Sequence, residues 1–408
     1  MDKVIFTRSG FPFDSGRFSK EQTGRKPLIR IRDVVRGATT TFTDEECPDE
    51  YIIHSGDILI GMDGDFNVAK WQSEDALLNQ RVCYISSASD ALLYDYLFYY
   101  LPDPLKKIND ATPSVTVKHL STKTLEKTPI PIPPRPEQQR IVDRIEGLFA
   151  KLDKAKEKAQ TVVDGFEDRK AAILHNAFNG ELTSEWRDER GVTLDSWKSI
   201  KLIDILTEKP RNGYSPKPVA YATPYKSMTL SATTSGFFDA KHYKYIDADI
   251  PDDSYLWLKP NDILIQRANS LDKVGTSALY TGGEHEFVYP DLMMKLRVSS
   301  DCVPAFVAYS LKTQSSLTYF RNNATGTAGN MPKINQDTVS NTPMVLPQKD
   351  EQAEIVRILD SFFSKERETI RLAKQAISKI ELEKQAILSL AFRGELGTND
   401  PNEKMCEV

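Results

Sequence analysis

Between residues 141 and 166, apolar side chains recur at Ile141, Ile145, Leu148, Leu152, Ala155, Ala159, Val162 and Phe166. The steps alternate between four and three, which is the seam of a coiled coil and narrower than the stripe of an ordinary surface helix. Pro133, Pro134 and Pro136 precede the seam, blocking an earlier helical start and suiting a first-turn position. Asn179-Gly180 supplies a left-handed stop. The pattern predicts one helix from Glu137 to Phe178, roughly 60 Å long at 1.5 Å per residue. After Pro347, Ile355, Leu359, Phe362, Ile370, Ala373, Ile377, Ile380 and Ile387 set out a second long helix that ends at Arg393-Gly394. Its seam is interrupted by Glu366.

The two helices are copies. Glu137-Gln138-Gln139-Arg140-Ile141-Val142 reappears as Glu351-Gln352-Ala353-Glu354-Ile355-Val356, and KAAILHNAFNGEL (170–182) reappears as KQAILSLAFRGEL (384–396). Both pairs are displaced by 214 residues (351 − 137 and 384 − 170), so no gap opens between the blocks. A helix tolerates no insertion here, because one extra residue would rotate its buried face. The preceding segments match more weakly but in the same order. Gly56-Asp57-Ile58-Leu59-Ile60 aligns with Asn261-Asp262-Ile263-Leu264-Ile265 as a turn and a buried strand. Tyr96 to Leu101 aligns with Phe306 to Leu311 as a short helix, and Thr128-Pro129 aligns with Thr342-Pro343. The offset drifts from 205 to 214 between Asp57 and Pro129, which places the insertions inside the globular parts.

The expected fold class is α+β. Two mixed α/β domains (1–135 and 181–348, the latter with a lead-in linker) are joined by two long helices (136–180 and 349–394), leaving a tail at 395–408. Antiparallel packing of the helices as a coiled coil would relate the two halves by a pseudo-twofold axis; a coiled coil between two chains would use the same seam. The second half opens with Leu194-Asp195-Ser196-Trp197-Lys198-Ser199-Ile200-Lys201-Leu202. Met1 falls near the counterpart of Asp204, and the tail is expected to replace part of the missing lead-in.

Composition narrows the chemistry. A hydrophobic content of 40% and a charged content of 27% describe an ordinary globular chain, with no run long enough to cross a membrane and no signal peptide. Four cysteines (Cys47, Cys83, Cys302, Cys406) form no CxxC pair, and a reducing cytoplasm is the expected compartment. The net charge is −5, but charge is segregated: residues 1–36 carry nine Lys/Arg against four Asp/Glu, and residues 41–103 carry two against thirteen. Residues 312–333 hold Lys312, Arg321 and Lys333 and no acid. A local basic face on an acidic protein suffices for phosphate contact. There is no phosphate-binding loop, no GxGxxG after a strand, no HExxH, no EF-hand and no Asn/Asp-Pro-Pro-aromatic methyltransferase signature. The five histidines lie far apart in sequence. No active site, metal or cofactor is expected.

A proline-punctuated strand, an EQxxIV block and a long helix ending in AFxGEL, all present twice, resemble the specificity (S) subunits of type I restriction-modification systems. The resemblance covers nearly the whole chain. It implies two target-recognition domains, each reading half of a bipartite, gapped double-stranded DNA sequence, with an antiparallel coiled coil setting their separation. The implied partners are two methyltransferase (M) subunits, which would bind S-adenosylmethionine for adenine-N6 methylation, and restriction/translocase (R) subunits. The chain itself would not be an enzyme. A structural adaptor, whose coiled coil binds proteins while its domains read no DNA, is the alternative.

Base reading needs forked donors or amides, and phosphate contact needs Lys, Arg or backbone N–H groups. The strongest candidate segment is Arg321-Asn322-Asn323-Ala324-Thr325-Gly326-Thr327-Ala328-Gly329-Asn330, leading to Lys333. Within it Arg321, Asn322, Asn323, Thr325, Thr327 and Asn330 are the expected contacts. Gln266 and Arg267 follow a strand directly, and Arg211 and Lys217 lie in another loop of the second domain. In the first domain the candidates are Arg17, Lys20, Lys70 and Lys118. The counterpart of Gln266-Arg267 is Gly61-Met62, so the two domains are expected to read different half-sites.

Overall fold

The computed structural model describes residues 1, 3–113, 117–326, 331–400 and 403. The chain divides into two compact units, Met1–Gln160 with Lys374–Val408, and Thr161–Ala373. Each contains one globular α/β part and a stretch of both long helices. Among the described residues no helix is long and apolar enough to cross a membrane.

The first unit is built on an antiparallel sheet in the order Ile5–Ser9, Val82–Ser87, Ile58–Gly61, Val68–Lys70. A second sheet carries Phe42–Thr43, Lys26–Ile29, Ala76–Leu78 and Ile52–Ile53. Strand Ile58–Gly61 is buried on both faces. Alternation sends Ile58 and Ile60 into a core with Ile85, Leu97, Ile141 and Ile145 at the root of the first long helix. Leu59 points the other way, into a core with Ile29, Val34 and Trp71. Side chains of this kind each contribute roughly 1.5–3 kcal/mol when fully buried.

The second unit repeats the plan. Its four-stranded sheet runs Arg211–Asn212, Met293–Leu296, Ile263–Gln266, Ser277–Leu279. Ile263 and Ile265 face Phe306, Val307, Ile355 and Leu359 at the root of the second long helix. Leu264 faces Met228, Tyr280 and Tyr289. Even the turn before the strand is kept: Gly56 and Asn261 both have positive φ (96° and 73°), a conformation that glycine and asparagine tolerate best. Asp57 and Asp262 each accept the N–H of the residue three before them, His54 and Lys259.

The EQ pair explains why the helix roots are repeated. Gln138 is buried; its Oε1 accepts the Leu93 N–H (2.8 Å) and its Nε2 donates to the Ala91 and Pro133 carbonyls. Gln352 does the same for the Val303 N–H (2.9 Å) and the Pro347 carbonyl. Leu93 and Val303 are the caps of the short helices Tyr94–Tyr100 and Pro304–Ser310, so a glutamine from another element satisfies a helix-start donor in both units. The adjacent glutamates are buried too. Glu351 accepts from Thr183 Oγ1 (2.7 Å), Arg187 Nη1 (2.6 Å) and Trp197 Nε1 (2.8 Å). Glu137 accepts from Thr398 Oγ1 (2.6 Å), the Asn399 N–H (2.8 Å) and Arg140. Thr183 follows the first AFxGEL block and Thr398 the second, so each block closes onto the EQ glutamate of the other copy.

Within each unit the helix stretches run antiparallel. Asp153 pairs with Lys384 (2.5 Å) and Lys156 with Glu381 (2.6 Å) in the first unit. In the second, Arg169 binds Glu366 through Nε and Nη2. Glu366, the misfit in the apolar seam, is therefore the acceptor of a forked ion pair.

Three expectations need correction. The first long helix is not continuous from Glu137 to Phe178: it runs Arg135–Asp164, breaks at Gly165 and resumes as Phe166–Phe178. A β-carbon at Gly165 would crowd Arg169 Nη1, and Arg169 Nη2 donates to the Val162 carbonyl beside the break. Ala155, expected in the seam, is exposed, and Leu148 and Leu152 are only half-buried. Finally, the Met1 ammonium donates to the Thr128 carbonyl (2.9 Å) just as the Leu202 N–H donates to Thr342 (2.9 Å), so Met1 corresponds to Leu202, near Asp204 as expected but two residues before it. In the second unit the lead-in strand Lys198–Lys201 pairs with Pro343–Leu346. The described part of the tail forms no such strand in the first unit; it supplies the Thr398 and Asn399 contacts to Glu137 instead.

Two outcomes follow from the buried glutamates. Arg187→Ala leaves Glu351 buried without its cation and is expected to cost about 3–5 kcal/mol in denaturant unfolding; a loss below about 1 kcal/mol would mean that Thr183 and Trp197 suffice. Burial alone would raise the Glu137 pKa, but hydrogen bonds from Thr398, Asn399 and Arg140 outweigh it and hold the carboxyl at about 2. A depressed folded-state pKa stabilises above the ordinary carboxylate pKa, and that contribution is lost as pH falls towards 2. The melting temperature should therefore drop between about pH 4.5 and 2 more steeply than in Glu137→Gln; parallel curves would contradict this.

Candidate nucleic-acid interface

In both units the buried central strand runs out into a loop gripped from two sides. The Leu120 N–H donates to the Met62 carbonyl (2.7 Å) and the Ile334 N–H to the Arg267 carbonyl (2.8 Å). On the other side the Met62 N–H donates to Arg81 (3.0 Å) and the Arg267 N–H to Leu292 (2.9 Å). The next residues form isolated bridges, Asp63 with His119 and Ala268 with Lys333. Three segments thus meet in the same backbone clamp twice, with different side chains on it.

On the first clamp, Asp63 accepts from Arg81 Nη1 (2.6 Å) through one oxygen and faces His119 Nδ1 (2.7 Å) with the other. The Gly64 N–H donates to the Lys118 carbonyl (3.0 Å), and Lys118 Nζ is held by the Asn109 carbonyl and Oδ1. Arg81 and His119 remain exposed. On the second clamp Ala268 stands where the first has Asp63. Arg267 Nη1 lies 3.3 Å from the Asp291 carbonyl, and its buried Nε has no partner among the described residues. Thr325 and Lys333 exchange two backbone hydrogen bonds of 2.8 Å.

The expected contact residues divide accordingly. Arg267, Thr325 and Lys333 converge on the second clamp, and Lys118 belongs to the first. Arg321 and Asn322 end the helix Gln314–Asn322 that leads into Thr325, where Asn323 closes the helix by donating from Nδ2 to the Tyr319 carbonyl (2.8 Å). Arg321 Nη2 reaches the Asp272 carbonyl at 3.4 Å. Thr327 and Asn330 lie outside the described residues. Gln266, expected to read bases, is fully buried instead: Nε2 donates to the Leu230 carbonyl and Thr233 Oγ1, and Oε1 accepts from Asn269. It props the loop from beneath.

Among the described residues, no hydrogen bond or ion pair ties the remaining candidates to the clamps. Lys70 binds Asp95 (2.6 Å) and lies over Phe98; Arg17 binds Asp44 (2.7 Å). Arg211 stacks 3.5 Å from the Tyr255 ring centroid. Lys20 and Lys217 are exposed on loops. Arg81 and His119 were missed; the offsets carry the signal for Asp63 and His119 (63 + 205 gives 268, and 119 + 214 gives 333), but Arg81 corresponds to Leu292 at 292 − 81 = 211, which neither offset gives.

An exposed guanidinium fork, an imidazole and an ammonium on rigid loops are the donors that base edges and phosphates require. Among the described residues no group of His, Cys, Asp and Glu is arranged to hold a metal ion. The model of the type I restriction modification DNA specificity domain matches residues 8–162 and 195–382, one match for each copy. The chain is 31% identical over 422 residues to the type I restriction enzyme EcoBI specificity subunit of Escherichia coli, covering 97% of this chain and 85% of the relative. It is 28% identical over 295 residues to the EcoKI specificity subunit of the K12 strain, covering 71% and 62%. A solved chain from a study of complex assembly and conformational transition of the type I R-M system shares the fold with a TM-score of 0.65 at 17% identity, covering 96% of this chain and 98% of that one. The HsdS subunit from Thermoanaerobacter tengcongensis does so at 0.52 and 16%, covering 96% and 97%. Duplicated domains, duplicated clamps and these likenesses agree: the chain belongs to the family of type I restriction-modification specificity subunits.

Proposed function

We propose that each unit reads one half of a bipartite, gapped double-stranded DNA target and that the chain brings methyltransferase and restriction subunits to it. The carrying observation is the repeated clamp: one backbone frame, occurring twice, with Arg81, Asp63 and His119 on one copy and Leu292, Ala268 and Lys333 on the other. A frame kept while its side chains diverge suits two readers of different sequences. A structural adaptor has no need for that divergence and is not favoured. The chain contributes recognition alone in this reading. S-adenosylmethionine would be bound by the partner methyltransferase, which would take the flipped adenine. The half-sites would lie about one turn of DNA apart, roughly 34 Å.

The test is selection from randomised duplexes by the chain co-purified with its methyltransferase, followed by binding at several salt concentrations. A two-part motif with an unspecified gap is expected, with affinity falling as salt rises by about 0.9 log units per log unit for each phosphate contact. Equal recovery of all sequences would support the adaptor. Lys333→Ala should weaken every duplex alike and lower the salt slope by about one contact. Arg321→Ala and Asn323→Ala should each cost about 1–3 kcal/mol on one half-site only; an equal loss on all duplexes would assign them to phosphate contact or folding.

A further inference from the structure

The two clamps differ in which strand carries the arginine. In the first unit the cross-strand neighbours are Met62 and Arg81; in the second they are Arg267 and Leu292. The cation has changed sides on an unchanged frame. Its surroundings changed with it: Asp63 and His119 stand where the second unit has Ala268 and Lys333.

Arg81 is not an ordinary surface ion pair. Its Nη1 is held at 2.6 Å by an Asp63 carboxylate that is itself only 16% exposed, while the arginine side chain is 58% exposed. The other Asp63 oxygen is engaged by His119, so the carboxylate is held from both sides. Asp63 in turn sits on a loop whose flanks, Met62 and Gly64, are hydrogen-bonded to Leu120, Arg81 and Lys118. Among the described residues, Arg81 Nε and Nη2 make no hydrogen bond, which leaves one edge of the planar fork unoccupied. A guanidinium with one donor tethered and a parallel pair free is pre-organised for a planar, two-acceptor partner, because its rotamer entropy is already spent. On duplex DNA that partner is the O6/N7 edge of guanine in the major groove.

We infer that Arg81, positioned by Asp63 and His119, is the guanine-reading residue of the first unit's half-site. The inference rests on the reading of the chain as a DNA-recognition subunit, and it names a residue and a base within it. Arg267, on the opposite side of the frame, takes the corresponding place in the second unit, so a change at Arg81 must leave the second half-site intact.

The experiment maps methylated adenines genome-wide by long-read sequencing in cells that express the full complex with wild-type chain, Arg81→Gln or Arg81→Lys. Wild-type chain should give one gapped motif. Arg81→Gln should relax one G·C position in one half, with discrimination there falling roughly 5- to 150-fold, the factor equivalent to one bidentate base contact. Arg81→Lys keeps the charge but not the fork and should relax the same position. An unchanged motif in Arg81→Gln would overturn the inference. So would equal loss at every site that Arg81→Lys restores, because that is how a phosphate contact behaves. Complete loss in both variants would reduce Arg81 to a structural role and overturn it as well. No gapped motif with wild-type chain would overturn the recognition reading, and this inference with it.

Discussion

A carboxylate buried in the first turn of each long helix holds the two parts of each unit together. Glu137 and Glu351 are almost wholly removed from water; Glu351 is satisfied by three donors from other segments, and Glu137 by two from the tail and by Arg140 one turn along its own helix. Such groups are costly to bury and costlier still to leave unpaired. The helix root therefore docks in one register only, with Thr183 beside Glu351 and Thr398 beside Glu137. The neighbouring glutamines fasten the same turn to the cap of a short helix, whose far side packs on the central strand. Strand, short helix and the root of the long helix thus share one core within each unit, and the clamped loop is the end of that strand.

Rigidity at the root is what a reader needs. Base edges are distinguished by donors placed to within a fraction of an ångström, and loops on rigid elements place them best. The clamp transmits the position of the buried strand to the loop through backbone hydrogen bonds, which any sequence can make. Side chains on the loop are left free to vary. Side chains can then diverge between the two copies, as the placing of Arg81 and Arg267 on opposite sides of the frame shows, without disturbing the core. The buried Gln266 marks the limit of that freedom: a polar residue at a strand end can support the loop and be unavailable to DNA.

Much of this was legible in the sequence because it follows from periodicity and punctuation. The long helices, their starts at Arg135 after Pro133-Pro134 and at Lys349 after Pro347, their left-handed stops at Gly180 and Gly394, and the turns at Gly56 and Asn261 rest on local rules. What the sequence did not disclose depends on distant partners. The EQ block was visible as a repeat, but Thr398 lies 261 residues from Glu137 and Thr183 lies 168 from Glu351. Glu366 looked like a seam defect until Arg169 was placed opposite it. Gly165 breaks a helix whose apolar spacing runs through it undisturbed, since a seven-residue pattern records which face is buried and not whether each turn is closed. Arg81 follows Asn79-Gln80 and His119 follows Lys118, so both border donor-rich runs, but it is the doubled frame that singles them out.

The central claim is that the two units read two separated halves of one DNA target on behalf of a methyltransferase. The most direct test compares N6-methyladenine across the host genome, by long-read sequencing, with and without the gene for this chain. The account predicts that deletion abolishes methylation at one motif made of two specified parts separated by an unspecified gap. Methylation unchanged by deletion, or loss of a single uninterrupted motif, would contradict it.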